Sequence, residues 1–277
     1  MKKIFGIVGF YAMTSLTLQA QTRLDLPVIS GHRGGAAKGY PENCIPTFEH
    51  TLSATPAFFE IDPHLTRDSA IVLLHDSILD RVTTGHGALN TYTFDQVRKL
   101  SLKDVDGGVT SYHLNTLEEA VRWAKGKAIL NLDVKDVPLI RKAELVRGCN
   151  AFGYVLFTVH NPQEAKFFYD FDHRSLFSAF IMTEKDMKAY EAAGVPWANV
   201  AIAYAGPRSK PENKSLYQQL HQRGVRVMIS AASSYDKWED PARRAEAYRQ
   251  ILREGADIIE SDRPVEVAAA IRSIVKQ

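Results

Sequence analysis

Cysteine is scarce in this chain, and no sign of charge dominates it. The two cysteines among 277 residues, Cys44 and Cys149, have no metal-binding spacing. An oxidising compartment permits a bridge, but a domain of roughly 250 residues does not need one, so both are expected as free, mostly buried thiols. Basic and acidic residues number 34 and 32, for a net charge of +2, and nothing in that balance calls for nucleic acid. A bound anion has to be caught by a few placed side chains. Long apolar runs are missing beyond the first twenty residues, and no linker separates a second domain. Those first residues have another character: Met1-Lys2-Lys3, a mostly apolar stretch over 4–18, then Leu18-Gln19-Ala20. This is the layout of a secretory signal peptide, too short for a spanning helix. No cysteine lies near Ala20 to carry a lipid. The expectation is an exported protein, periplasmic or secreted, with 1–20 removed and 21–277 as one domain.

What is present is a repeating alternation. Strand-like runs cover 28–30, 58–61, 128–134, 154–159, 176–181, 200–204, 225–230 and 257–261. Helical patterns cover 47–53, 116–125, 139–147, 162–169, 184–193, 215–223, 242–254 and 265–274, with Gly194, Gly224 and Gly255 where helices should stop. Eight strands each followed by a helix predict an α/β chain folded as a (β/α)8 barrel. The run 70–74 would make a ninth strand. Only a short turn separates it from Thr66, so it must return antiparallel as a hairpin. An insertion over about 67–115 after the second strand follows. With the turn centred on Asp68, facing residues sum to about 136, which sets His75 opposite Ile61.

Chemistry in such a barrel sits at the C-terminal strand ends. Strand one ends in Gly31-His32-Arg33-Gly34-Gly35, where an imidazole and a guanidinium stand on flexible backbone. Glu60 and Asp62, two apart, point to one side of strand two. They repel unless a cation joins them or one stays protonated, and Asp133 on strand three can supply a third oxygen. Three carboxylates suit Mg²⁺ or Ca²⁺ better than Zn²⁺. His75 brings a second imidazole to the same mouth. Arg33 and Lys135 supply positive charge. Two imidazoles, a metal and two cations match phosphodiester cleavage, one imidazole taking a proton from the attacking oxygen and the other giving one to the leaving alkoxide. The reference imidazole pKa of about 6.5 suits either role.

His32-Arg33-Gly34, Pro41-Glu42-Asn43, Glu60-Ile61-Asp62, Leu65-Thr66-Arg67-Asp68, His75-Asp76, Asp80-Arg81-Val82-Thr83, Thr116-Leu117-Glu118-Glu119 and Ser261-Asp262-Arg263-Pro264 follow in order from about Val28 to Pro264. This series resembles the glycerophosphodiester phosphodiesterase family. The resemblance implies a TIM barrel, a divalent cation (Ca²⁺ or Mg²⁺, with Mn²⁺ admissible) on Glu60 and Asp62, and His32 and His75 as the acid/base pair. It implies phosphate contact by Arg33, and a site shaped from the first loop by Glu42 and Asn43. The reaction it implies releases glycerol 3-phosphate and an alcohol from a deacylated phospholipid, in related enzymes by way of a cyclic phosphate. Asp133 replaces a usual Glu, Cys44 a usual Thr, and Met228-Ile229 a usual Trp-Thr pair. These departures imply an altered alcohol or glycerol pocket; no apolar or basic run marks 85–112, so the expected partner is a small glycerophosphodiester, with no stable membrane insertion. A lipid phosphodiesterase of the phospholipase D and sphingomyelinase D kind is the alternative enzyme, and a non-catalytic head-group binder the alternative from another class.

Overall fold

The computed structural model describes residues 25–275; the expected signal peptide lies outside them. The barrel strands are β1 (Ile29–Gly31), β2 (Phe58–Ile61), β3 (Leu130–Leu132), β4 (Val155–Val159), β5 (Leu176–Phe180), β6 (Val200–Tyr204), β7 (Arg226–Ser230) and β8 (Ile258–Ser261). All eight pair in parallel, each with its neighbours in sequence, and β1 meets β8 to close the ring. Each expected strand run overlaps one of these strands. The helices are α1 (Ile45–Ala54), α2 (Leu117–Ala124), α3 (Leu139–Gly148), α4 (Pro162–Phe171), α5 (Glu184–Ala192), α6 (Lys214–Gln222), α7 (Pro241–Arg253) and α8 (Pro264–Val275).

Strands covered on both faces need continuous apolar runs. The β4 run Val-Leu-Phe-Thr-Val is buried at all five positions. Helix starts are written locally: Thr116 and Glu119 form a capping box before α2, and Asn161 and Asp240 accept backbone N–H groups before α4 and α7. One core fills the space between strands and helices, where Phe48, Phe59 and Trp123 stack. A second plugs the barrel's interior with Leu26, Phe58, Leu156, Leu176, Ile202, Met228 and Ile258.

After β2 the chain leaves the barrel. Pro63–Leu65 pairs antiparallel with Ile71–Leu73, in the register Pro63↔Leu73, His64↔Val72, Leu65↔Ile71. These pairs have the expected sum. The excursion begins at Pro63, earlier than the expected Arg67. Proline has no N–H to donate to a ladder, so barrel pairing ends there. A second hairpin, Ser101–Lys103 with Val109–His113, completes the excursion. Its own small core, with Val72, Leu79, Val82 and Leu102, includes the buried Cys44 from the β1–α1 loop. Cys44 and Cys149 are both free.

The glycines after His32-Arg33 have a steric reason. Gly34 sits at φ +92°, and a Cβ there would lie 2.6 Å from two ring carbons of Phe48. Gly35, at φ +81°, would press a Cβ into the ring of Pro264. Gly34→Ala is therefore expected to destabilise the protein by about 2–4 kcal/mol, overpacking added to an unfavourable backbone region. Urea unfolding followed by circular dichroism measures it; an unchanged midpoint would contradict the steric account.

Candidate active site

Polarity rises along the barrel axis. Above the apolar plug, Glu60, Asn131, Thr158, Ser178, Ser230 and Glu260 line a cavity of about 380 Å³. The strand-end residues His32, Arg33, Asp133, Phe180, Tyr204 and Asp262 rim it.

Glu60, Asp62 and Asp133 bring carboxylate oxygens within 4.8 Å of one another. Glu60 and Asp62 are only 6% and 1% exposed, too dry for like charges to coexist unaided. Burial, then the charges of Asp62, Glu260 and Asp133, push the Glu60 carboxyl well above its usual range. Burial also acts against ionised Asp62, but Lys135, Asn43 and Arg33 outweigh it and hold Asp62 below the usual range. Lys135 Nζ lies 3.1 Å from Asp62 Oδ1 and 2.7 Å from Asp133 Oδ2. The structure thus sets Lys135 on the carboxylates themselves. An all-oxygen donor set of three carboxylates, one of whose ionisation is opposed by its neighbours, fits a hard divalent cation.

Asn43 is buried, and both ends of its amide serve Asp62. Its Nδ2 donates to Asp62 Oδ2 at 2.7 Å, and its Oδ1 accepts the Asp62 N–H at 3.0 Å. Asn43 thus orients the Asp62 carboxylate. Glu42 likewise turns to cations: Arg81 donates to both its oxygens, at 2.8 and 2.7 Å, and Arg33 NH1 lies 3.4 Å away. The Arg33 backbone N–H donates to Glu60 at 3.1 Å, while its Nε is buried without a hydrogen-bond partner.

Each expected acid/base imidazole is held by a carboxylate. His32 Nδ1 lies 2.6 Å from Asp262 Oδ1, and Lys237 pairs with the other oxygen at 3.0 Å. His75 Nδ1 lies 2.7 Å from Asp76 Oδ1. A carboxylate at Nδ1 favours the proton there and leaves Nε2 for chemistry. Burial would lower the His32 pKa, but the Asp262 hydrogen bond and the charges of Glu260 and Asp262 raise it overall. Asp262, against the effect of burial, is held down to about 2 by His32 and Lys237. Asp76 is held far below the usual range, chiefly by Arg81. The expected approach of His75 to the carboxylates is present as electrostatics, its charge favouring ionised Asp62.

Sequence reasoning singled out His32, Arg33, Glu42, Asn43, Glu60, Asp62, His75, Asp133 and Lys135, and the structure gathers them at one mouth. It missed Glu260, buried beside Ser30, whose Oγ donates to it at 3.2 Å. Glu260-Ser261-Asp262 repeats the alternation of Glu60-Ile61-Asp62, and that spacing was the available signal. It also missed Asp236, which accepts from Ser261 Oγ and the Asp262 N–H, each at 2.7 Å, and so sets the carboxylate behind His32. No local pattern marks Asp236; only tertiary structure brings it there.

A sequence profile of the Glycerophosphoryl diester phosphodiesterase family matches residues 32–238. The crystal structure of a glycerophosphoryl diester phosphodiesterase from Parabacteroides distasonis is 53% identical, covers 90% of this chain and 87% of that one, and superposes with a TM-score of 0.88. An Oleispira antarctica phosphodiesterase solved with its product sn-glycerol-3-phosphate is 18% identical, covers 89% of this chain and 97% of that one, and shares the fold with a TM-score of 0.67. The glycerophosphodiester phosphodiesterase of Bacillus altitudinis is 30% identical over 112 residues, 39% of this chain and 45% of that protein. The matches to such curated relatives span less than half of their length.

Proposed function

The chain belongs to the glycerophosphoryl diester phosphodiesterase family, and from that membership we propose that it hydrolyses glycerophosphodiesters to glycerol 3-phosphate and an alcohol. The observation that carries this reading is a pair of imidazoles, each backed by a carboxylate on Nδ1, at the mouth that holds the carboxylate cluster and Arg33. Glu60, Asp62 and Asp133 would hold a divalent cation, whose charge would polarise the phosphoryl oxygens. Arg33 binds the phosphate. Its Nε is buried 3.7 Å from Asp62 Oδ2 without a formed hydrogen bond, and its guanidinium lines the mouth where an anion would arrive. Lys135 offsets the charge of Asp62 and Asp133 and keeps the mouth from repelling an anionic substrate. His32 and His75 move the protons: one takes a proton from the attacking oxygen as the new P–O bond forms, the other protonates the departing alkoxide, and where a substrate hydroxyl attacks first, water then opens the cyclic phosphate with the two roles exchanged.

The polar cavity below the rim and the size of the site fit a small polyol ester. Among the described residues no helix is long and apolar enough to cross a membrane. Residues 1–20 are taken as an export signal, so the protein would act outside the cytoplasm and the form to assay begins at Gln21.

Glycerol 3-phosphate release from glycerophosphocholine, -ethanolamine and -inositol tests the reading. Release that EDTA stops and Ca²⁺, Mg²⁺ or Mn²⁺ restores is expected. Turnover that survives exhaustive EDTA treatment would remove the cation from the reading, and no release from any of the three would remove the substrate class.

A further inference from the structure

His64 takes part in none of the steps above, yet it is buried and points toward the reaction centre from behind. Its Nε2 lies 3.1 Å from the backbone carbonyl oxygen of His75, within hydrogen-bond distance. Its Nδ1 lies 3.0 Å from Asp136 Oδ1, an ion-pair separation without a formed hydrogen bond. The same Asp136 oxygen accepts the Leu65 N–H at 3.0 Å. One imidazole therefore joins the tail of the segment carrying Asp133 and Lys135 to the residue that carries the second acid/base ring.

The join falls where the sheet provides no other. Regular pairing in the first hairpin stops at Pro63↔Leu73, and one further bond, Leu74 N–H to the Asp62 carbonyl, extends it by a residue. His75 comes next, beyond the ladder. Its ring must be held within a fraction of an ångström to hand over a proton, and errors near 1 Å are costly in rate. Asp76 fixes the ring's rotation through Nδ1, and Arg81 joins Asp76 to Glu42 of the β1–α1 loop and not to the hairpin. Among the described residues, the bond from His64 is what ties the His75 carbonyl to the hairpin's other strand.

We propose that His64 is a positioning residue for His75, linking it to the Asp133–Asp136 segment so that the carboxylate cluster and the imidazole keep one spacing. This rests on the phosphodiesterase reading given above. His64 does not touch the reacting atoms, and its effect passes through the His75 carbonyl.

Two polar replacements separate the bond from the bulk. His64→Gln keeps an amide donor with about the reach of Nε2, whereas His64→Asn stops near Nδ1, within reach of Asp136 but short of the His75 carbonyl. His64→Asn is expected to lower kcat by about 10–100-fold with KM nearly unchanged, the usual range for an orienting partner, while His64→Gln retains most of the activity. In a His75→Ala background the Asn replacement should cost almost nothing further, because the two act as one unit. An equal loss in both backgrounds, or equal activity of the Gln and Asn variants, would overturn the proposal. Should the wild-type protein hydrolyse no glycerophosphodiester, the phosphodiesterase reading falls first, and the His75 ring signals in nuclear magnetic resonance decide about His64. His64→Asn should displace or broaden them and His64→Gln should not; signals unmoved by His64→Asn would reject the positioning role.

Discussion

Replacing His32 or His75 by alanine is expected to lower turnover by ~10²–10⁴-fold while the fold survives. The fold should survive because neither ring is part of an apolar core: their side chains remain 21% and 33% exposed at the barrel mouth. Each loss is the removal of a proton donor or acceptor, so it should appear in kcat more than in KM. The carboxylates around His32 raise its pKa, so it stays protonated to higher pH than an ordinary imidazole, which favours it as the group that protonates the leaving alkoxide. A group needed in its protonated form loses activity as pH rises through its pKa. Asp262→Asn removes the hydrogen-bonding carboxylate, so the alkaline limb of the pH–rate profile should move to lower pH. A profile unmoved by Asp262→Asn would assign that limb to another group, and full activity of either alanine variant would strip that histidine of its role.

The barrel was legible in the sequence because its strands are buried on both faces and its helices carry their own stop and start residues. Phe58–Ile61 and Val200–Tyr204 match the observed strands residue for residue. The hairpin register was also readable, since a turn at Asp68 leaves no freedom in which residues face each other. Where the excursion begins was less readable. Prolines are ordinary in loops, and only the observed pairing shows that Pro63 already lies on the returning ribbon. For the site, residue types at strand ends named the reacting groups, because strand alternation and barrel topology together decide which side chains converge. The supporting groups follow no such rule. Asp236 reaches Asp262 from the β7–α7 segment, and Arg81 reaches Glu42 across 39 positions of sequence. Both are set by loop conformations that no periodicity encodes. Nearest partners are set in the same way: Asn43 bonds to Asp62, and Lys135 to Asp62 and Asp133.

Glu60→Gln should abolish cation-dependent activity and, without cation, make the protein more stable. Glu60 is an acid whose pKa in the folded state is raised by burial and by the neighbouring carboxylates. Such a group weakens the fold as pH rises from its ordinary value of 4.5 toward its raised one, because only the unfolded chain ionises it freely. Glu260 is raised as well and acts in the same direction. Asp62 has the opposite sign: its pKa is lowered, so the stability it contributes is lost as pH falls below its ordinary 3.8. The cation-free protein should therefore lose thermal stability as pH rises above the ordinary carboxyl value of 4.5, and Glu60→Gln should remove much of that slope. A divalent ion should also remove it in the wild type, by drawing the carboxylate charges onto itself and stabilising the native state alone. The variant should gain little from the same ion. Activity should fall by ~10²–10³-fold or more, the cost of losing one preorganised electrostatic group at a developing charge. Thermal unfolding of both proteins across this pH range, with EDTA and with each ion, measures all of this together. A variant less stable than the wild type in EDTA at pH 8 would mean that Glu60 is held by partners that stabilise its charge. That result would contradict the strained, cation-seeking carboxylate cluster on which the metal-dependent reading depends.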